Sequence, residues 1–280
     1  MEILPTVSEL RAWSRAGRKD DKIVGLVPTM GALHAGHLSL IRAARQRCDL
    51  VAVTIFVNPT QFGPNEDFAR YPRTFDTDCT AAQAQGADVV FAPSVEEMYP
   101  EGGATFVDVE GISDRLDGVS RPGHFRGVAT VVTKLFVAAE ADFAFFGQKD
   151  AAQVSVLRRM TKDLLMPTEI VVCPIVREPD GLAMSSRNVY LSADQRKQAL
   201  ALSRAIGVVE SLVGHGQRDR EELVEAARAV FGAEPQVRVD YIALVDWATL
   251  QPVDTATPGT LFAVAAWVGE TRLIDNTILS

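Results

Sequence analysis

Cysteine is scarce in this chain, with three residues among 280, and no apolar run approaches the roughly 20 residues that span a bilayer. Cys48, Cys79 and Cys173 form no CxxC pair and cannot all pair with one another, so we expect buried reduced thiols and a reducing cytoplasm. The first residues, Met-Glu-Ile-Leu-Pro, lack the basic-then-apolar layout of a signal peptide. We therefore expect a cytoplasmic protein without a membrane segment.

The chain also has no excess of basic residues, since it contains 28 Lys and Arg and 36 Asp and Glu, which gives a net charge of −8. This balance argues against a general nucleic-acid or membrane-surface binder, although it allows a local basic pocket for an anionic ligand. The hydrophobic content of 47% and the charged content of 23% are typical of a globular protein. The length permits one large domain or two ordinary ones.

Apolar strands alternate with helices over the first 176 residues. Strands are predicted at 23–27, 50–57, 88–91, 142–146 and 169–176, with a shorter one at 105–109. Helices are predicted at 7–18, 38–47, 74–86, 128–138 and from about 150 to 163, and a loop at 58–65. Strands that are apolar on both faces are typical of a parallel sheet, so the pattern predicts an α/β fold with a doubly wound parallel sheet.

The pattern changes after residue 176. A long helix begins at Ser192, where Gln195 completes the spacing of a capping box, and a second helix is predicted at 218–231. Strands follow at 237–245, 261–268 and 271–274. We therefore predict a Rossmann-like domain over residues 1–176 and a smaller C-terminal α+β domain over residues 177–280.

The stretch from Met30 to His37 joins the first buried strand to a helix. His34 and His37 are three residues apart and share a helical face, so both can point at one ligand. Gly31 and Gly36 allow a close approach of the backbone, and a helix N-terminus offers N–H donors and a positive dipole end. The stretch predicts a phosphate site.

Other polar clusters follow the later strands, at the edge where ligands of open α/β sheets bind. They are Asn58 with Gln61, then Gln148, Lys149, Asp150 and Gln153, and finally Ser185, Ser186 and Arg187. If the fold prediction holds, these clusters converge on one cleft. Each also has an ordinary interpretation: a solvated lysine, a surface glutamine or a mobile serine loop. The loop holding Arg121 and His124 is either an ordinary basic loop or an anion clamp.

Several motifs resemble a known family. His34-Ala35-Gly36-His37 resembles the HxGH signature of the nucleotidylyltransferase superfamily, and 184–187 resembles its KMSKS-type loop. The segments that narrow the resemblance to the pantothenate synthetase family, in order and in spacing, are 28–37, 56–62, 121–127, 146–150 and 185–188. The match covers nearly the whole chain and thins after about residue 200. One departure from the wider superfamily is Ser186-Arg187, where KMSKS loops carry lysine, so Lys149 is a candidate for the missing ammonium.

The resemblance implies ATP-dependent condensation of pantoate with β-alanine through pantoyl adenylate, with release of pyrophosphate and AMP. It also implies Mg²⁺ as a cofactor and a homodimer. A separate hypothesis, based on the polar loop just past the predicted domain boundary, is that the second domain closes over the ATP. The residues that the resemblance implies for ATP are Met30, Gly31, Ala32, Leu33, His34, Ala35, Gly36, His37, Gly147, Gln148, Lys149, Asp150, Val176, Met184, Ser185, Ser186 and Arg187. Those predicted for substrate are Met30, Asn58, Gln61, Arg121, His124 and Gln153.

Catalytic roles are predicted for His37, His34, Lys149 and Arg187, with His37 favoured as the general-acid or charge-stabilising residue. The Mg²⁺ ligands stay open, with Asp76, Asp78 and Asp150 as candidates. Two other functions compete: another small-molecule adenylyltransferase, or a non-catalytic nucleotide-binding module. The neutral pair Gln61 and Gln153 favours a small hydroxy acid over a second phosphate, and a non-catalytic module would not need both histidines.

Overall fold

The computed structural model describes residues 1–64 and 66–280, and it divides the chain into two compact units. The first unit comprises Met1–Gly147 and Val156–Cys173, and the second comprises Gln148–Ser155 and Pro174–Ser280. Composition predicts a single boundary at residue 176, whereas the second unit also takes in the short segment 148–155. Asn65, the last residue of the predicted loop, lies outside the described residues.

The first unit holds a parallel sheet, with helices between its strands. The strands are β1 (Glu2–Leu4), β2 (Val24–Thr29), β3 (Leu50–Ile55), β4 (Val89–Phe91), β5 (Phe143–Gly147) and β6 (Glu169–Cys173). The helices are α1 (Val7–Lys19), α2 (Ala35–Arg47), α3 (Phe75–Ala84), α4 (Val95–Met98), α5 (Asp117–Ser120), α6 (His124–Ala139) and α7 (Ala151–Asp163). Short 3-10 helices cover Pro59–Gln61 and Asp67–Ala69, whereas the 3-10 helix Gln148–Asp150 and the first residues of α7 belong to the second unit.

The strand order is β1-β4-β3-β2-β5-β6, and every pair is parallel, so the carboxyl ends of the strands meet at one edge. Val27, Val53, Val90 and Phe145 lie in the core between the sheet and α2, each at most 1% exposed. Burial on both faces explains why these strands read as continuous apolar runs. The predicted doubly wound parallel sheet is confirmed.

Two details of the predicted sheet are wrong. Residues 105–109 form no strand, because Val107 N–H donates at 2.9 Å to the Thr130 hydroxyl on α6 instead of joining the sheet. Conversely, β1 is not predicted from the sequence, yet it pairs with β4 in parallel. Three residues are too few to show a periodic pattern, so only the pairing in space reveals this edge strand.

The second unit holds a 3-10 helix and two long helices against an antiparallel sheet. Its elements are a 3-10 helix (Ser186–Tyr190), α8 (Ala193–Gly214), α9 (Arg220–Gly232), β7 (Val237–Asp246), β8 (Thr260–Val268) and β9 (Thr271–Ile278). The sheet order is β7-β8-β9. Ser192 and Gln195 form both bonds of the predicted capping box at the start of α8. The smaller C-terminal α+β unit is confirmed.

Strand β9 is four residues longer than predicted because two buried polar residues interrupt its apolar pattern. Asp275 accepts two bonds from the Arg177 guanidinium, at 2.6 and 3.0 Å, and Asn276 is 3% exposed. Buried polar groups are tolerated when they are paired, but the pairing cannot be read from periodicity.

All three cysteines are buried and free, which confirms the prediction of unpaired thiols. Burial raises the pKa of the Cys48 thiol to about 11, so this group is protonated at neutral pH. Over residues 1–64 and 66–280, none of the helices is both long and apolar enough to cross a membrane.

Candidate active site

The turn between β2 and α2 has an unusual backbone that a distant carboxylate holds. Gly31 and Ala32 both have positive φ angles, +82° and +50°, and the second is rare outside glycine. Asp78 on α3 accepts the N–H groups of Ala32 and Leu33, each at 2.8 Å. A Cβ on Gly31 would lie 3.1 Å from both Asp78 Oδ2 and Ile55 Cγ2. The turn is therefore closely packed as well as hydrogen-bonded.

The two histidines stand together at the start of α2. His34 is the N-cap and its Nδ1 accepts the Gly36 N–H at 3.2 Å, while His37 Nδ1 accepts the His34 N–H at 3.4 Å. Their ring centroids are 4.1 Å apart. A ring nitrogen that accepts a backbone N–H carries no proton, so each neutral imidazole has its proton on Nε2. The site thus offers two Nε2–H donors beside a helix N-terminus.

Three predicted substrate residues come together in the first unit. Asn58 Nδ2 donates to Gln61 Oε1 at 3.1 Å, and Gln61 Nε2 lies 3.0 Å from Met30 Sδ. Asn58 is only 1% exposed and Gln61 9%. Because Asn58 occupies the carbonyl end of the Gln61 amide, the orientation of that amide is set by the protein.

Helix α6 and Tyr99 hold the loop that carries Asn58 and Gln61. A Cβ on Gly127 would lie 2.3 Å from Thr60 O, so only glycine permits this approach of helix to loop. Asn58 Nδ2 also donates to Gly127 O at 3.2 Å, and the Tyr99 hydroxyl donates to Asn58 Oδ1 at 2.7 Å. Burial raises the pKa of Tyr99, which favours this donor form. Sequence reasoning missed Tyr99, which lies 41 residues from its partner.

Arg121 and His124 also contact this loop. His124 Nδ1 lies 2.8 Å from Gln61 O, its Nε2 lies 2.9 Å from an Arg121 nitrogen, and Arg121 binds both carboxylate oxygens of Glu66 at 2.6 and 2.7 Å. Burial opposes ionisation of Glu66, but the bonds from Arg121 outweigh it and lower the pKa of that carboxyl. The two side chains thus stabilise the position of the backbone at Gln61. Their predicted contact with substrate stays a prediction.

In the second unit, Asn276 holds the segment that carries Lys149. Its side-chain amide donates to the carbonyls of Gln148 and Lys149, at 3.0 and 2.9 Å. Lys149 Nζ lies 3.5 Å from Asp150 Oδ1. Gln153 follows in the first turn of α7, whereas Lys149 precedes that helix in a 3-10 turn. Asn276 lies in no motif and follows Lys149 by 127 residues, so its role is not predictable from the sequence.

A hairpin in the second unit brings together further predicted residues. Met184 N–H donates to Val176 O at 2.9 Å, and Arg177 forms an antiparallel bridge with Ala183. Ser185 then caps the next 3-10 helix, since its hydroxyl accepts the Arg187 N–H at 3.2 Å. The serine loop that resembles KMSKS therefore begins from an ordered hairpin.

The described residues contain no cluster of three or more His, Cys, Asp or Glu side chains that could hold a metal ion. Of the candidate Mg²⁺ ligands, Asp78 already uses both oxygens for backbone N–H groups. The donor set around the histidines suits phosphate oxygens, because it consists of N–H groups at a helix start.

Comparison with known proteins decides among the chemistries that such a site allows. The family model described as pantoate-beta-alanine ligase matches residues 2–278. The chain belongs to this family. It is similar to the pantothenate synthetase of Koribacter versatilis, with 56% identity over 100% of the chain and 96% of the relative. It is also similar to that of Thermotoga neapolitana, with 54% identity over the full length of both.

Solved structures of ligases from the family agree. Pantothenate synthetase from Thermus thermophilus matches with a TM-score of 0.94 and 47% identity, over 99% of both chains. The Francisella tularensis ligase, complexed with beta-gamma ATP and beta-alanine, matches with a TM-score of 0.80 and 34% identity, over 99% of this chain and 97% of that one. The predicted family, the fold and the ATP-dependent ligation of pantoate with β-alanine are confirmed.

Proposed function

We propose that ligation proceeds through pantoyl adenylate. A carboxylate oxygen of pantoate attacks the α-phosphorus of ATP and expels pyrophosphate, which converts a poor acyl donor into one with a good leaving group. The β-alanine amine then attacks the acyl carbon, AMP leaves, and the nitrogen loses a proton. The observation that carries the proposal is the pairing of two imidazole donors at the start of α2 with the ordered assembly of Met30, Asn58 and Gln61.

In the first unit, we assign His34 and His37 to the phosphates. Charge builds on phosphate oxygens as the carboxylate attacks, and fixed N–H donors stabilise that charge without reorganising. His37 is our favoured residue for the α-phosphate. Because its Nδ1 accepts a backbone N–H, its Nε2–H donates a hydrogen bond to the oxygen. The turn from Met30 to Gly36 adds backbone N–H groups for the same anion.

We assign the pantoate hydroxyl and carboxylate groups to Gln61 and Gln153. Both side chains donate and accept, which suits a hydroxy acid. The Asn58 amide sets the orientation of Gln61, and Met30 Sδ lies beside the Nε2 of the same side chain. Arg121 and His124 support binding by fixing the Gln61 carbonyl.

For the second unit, we propose that Lys149, Ser185, Ser186 and Arg187 contact ATP phosphates. The backbone at Gln148, Asp150, Val176 and Met184 is proposed to contact adenosine, as is that of Gly147, which belongs to the first unit. The bonds of Asn276 to the 148–149 carbonyls and the Val176–Met184 pairing support a preformed backbone in this unit. Mg²⁺ is proposed to offset phosphate charge, with the nucleotide supplying ligands. We propose a cytoplasmic location because of the unpaired thiols. We propose a homodimer because of the family resemblance.

Exchange of labelled pyrophosphate into ATP tests the adenylate. We expect exchange that requires pantoate and Mg²⁺ but proceeds without β-alanine, because only the first half-reaction is reversed. Folded protein that shows no exchange with pantoate and Mg²⁺ would contradict the proposal. Exchange with a phosphorylated nucleotide or pantetheine substrate instead of pantoate would favour a different adenylyltransferase.

Gln153→Ala is expected to weaken pantoate binding more than turnover. One lost hydrogen bond between neutral groups is worth about 0.5–1.5 kcal/mol, so we expect the pantoate KM to rise about 2- to 12-fold while the ATP KM stays within twofold. The matched control is Gln251→Ala, because Gln251 is exposed in a loop of the same unit. Steady-state kinetics at varied pantoate provide the measurement. An unchanged pantoate KM would reject this role for Gln153.

A further inference from the structure

We propose that Asp78 is a positioning residue for the ligation: its carboxylate fixes the turn from which His34 and His37 are presented. This inference rests on the proposed roles of the two histidines. Asp78 touches no reacting group in this assignment and acts through the backbone of Ala32 and Leu33.

The contacts of Asp78 account for both of its oxygens. Oδ2 accepts the Ala32 N–H at 2.8 Å, while Oδ1 accepts the Leu33 N–H at 2.8 Å and the Thr74 hydroxyl at 3.1 Å. The residue is 2% exposed. Hydrogen bonds to an ionised acceptor are shorter and stronger than those between neutral groups. Asp78 thus joins α3 to a turn that lies 45 and 46 residues earlier in the chain.

The turn needs such a partner because its backbone is not the one that its residues prefer. Ala32 has a φ of +50°, a conformation that persists in non-glycine residues only where the surroundings enforce it. The Ala32 and Leu33 N–H groups would otherwise have to be satisfied elsewhere. His34, the N-cap of α2, follows directly, and His37 binds the His34 N–H through Nδ1. A shift of the turn would therefore displace both imidazole rings.

Two other roles are available to a buried carboxylate near phosphates. As a metal ligand, Asp78 would use the second lone pair of Oδ2, the oxygen that accepts a single backbone N–H. As a stabilising group alone, it would resemble Asp142, which accepts the Val24 N–H at 2.8 Å at the opposite end of β2. Asp142 also accepts a backbone N–H, but at the first residue of β2 and not in the turn that follows the strand, so it provides a matched control.

The experiment compares Asp78→Asn and Asp142→Asn in the full chain. The amide keeps the size of the carboxylate, but its NH₂ group faces one backbone N–H, so that bond is lost. We expect Asp78→Asn to lower kcat at least tenfold, with the pantoate KM within threefold and an unchanged Mg²⁺ concentration for half-maximal rate. Asp142→Asn is expected to lower Tm while kcat stays within twofold. Circular dichroism and thermal melting establish that both variants are folded.

A double-mutant cycle with His37→Ala separates positioning from general stabilisation. If Asp78 acts through His37, Asp78→Asn lowers kcat by less than threefold when His37 is already Ala. Should Asp78→Asn fail to fold, Thr74→Val removes one bond to the same carboxylate, and we expect it to lower kcat two- to fivefold.

Three results would overturn the positioning role. The first is a kcat of the folded Asp78→Asn variant within twofold of the parent, or the same result for Thr74→Val if that variant replaces it. The second is that Asp78→Asn lowers kcat by its full factor in the His37→Ala background. The third is a shift of the Mg²⁺ concentration that gives the half-maximal rate. Failure of the proposed function is distinct from all three, because the unmodified chain would then show no pantoate-dependent pyrophosphate exchange.

Discussion

Replacing His37 with Ala is expected to lower turnover by about 10²- to 10³-fold, the loss found when one preorganised donor to a developing oxyanion is removed, about 2.7–4 kcal/mol. The expected cause is loss of the Nε2–H donor, because Nδ1 is occupied by the His34 N–H. The pantoate KM should change much less than kcat, since the donor acts mainly on the transition state. Single-turnover formation of pantoyl adenylate is the measurement.

His37→Gln distinguishes a hydrogen-bond donor from a proton donor. Glutamine at the third residue of a helix can still accept the N–H of the N-cap, and its amide can donate to phosphate. We expect it to recover at least tenfold of the rate lost in His37→Ala. A Gln variant as slow as the Ala variant would indicate that a titrating imidazole is required.

His215→Ala is the matched histidine control. His215 lies in an exposed turn, where its Nδ1 contacts Ser211 O at 2.7 Å. Its turnover should stay within twofold of the parent. Near-normal turnover of His37→Ala itself would remove His37 from the mechanism.

Acid is expected to destabilise the protein through His124. Burial, reinforced by the positive charge of Arg121, lowers the pKa of His124 from 6.5 to about 4 in the folded state. The unfolded chain therefore takes up the proton first as the pH falls, so the stabilisation is complete above about pH 7 and is lost between about pH 6.5 and 4. A shift of this size corresponds to about 3 kcal/mol of unfolding free energy, of which about 2 kcal/mol should be lost by pH 5.

The contacts of His124 explain why the neutral form is preferred. Arg121 can only donate, so Nε2 accepts from it and Nδ1–H donates to Gln61 O. A second proton would place an N–H against the guanidinium. Glu66 and Asp117 oppose this effect by favouring the charged ring, but burial and Arg121 outweigh them.

Urea unfolding at pH 7 and pH 5 measures this dependence, with His124→Gln as the comparison. Gln can donate to the Gln61 carbonyl but does not titrate, so the difference in unfolding free energy between the two proteins should shrink by about 2 kcal/mol from pH 7 to pH 5. A difference independent of pH would mean that His124 is not the group responsible.

Much of the architecture could be predicted because it is local in sequence. Buried parallel strands read as apolar runs, and Ser192 with Gln195 marks the start of α8. The errors concern segments whose structure depends on residues distant in the sequence. The segment 105–109 has the composition of a strand but bonds to α6, and β1 is a strand only because β4 lies beside it.

The candidate site divides in the same way. The sequence indicated His34, His37, Asn58 and Gln61 through motifs, but it did not indicate Tyr99, which binds Asn58. It named Asp78 only as a possible Mg²⁺ ligand, whereas the carboxylate bonds to the turn backbone. Residues that act through the backbone of another segment carry no spacing signal, because their partners are set by how helices and strands pack.

The sequence by itself determined most of the order of the elements, the family, and the local geometry in which two imidazoles three residues apart begin one helix. Tertiary structure alone decided how the turn from Met30 to Leu33 is held and how the Gln61 amide is oriented. The physical reason is the distance along the sequence between the residues that interact. Helix starts and apolar periods arise from neighbours within a few residues, whereas the bonds from Asp78 to Ala32 and from His124 to Gln61 join positions 46 and 63 residues apart.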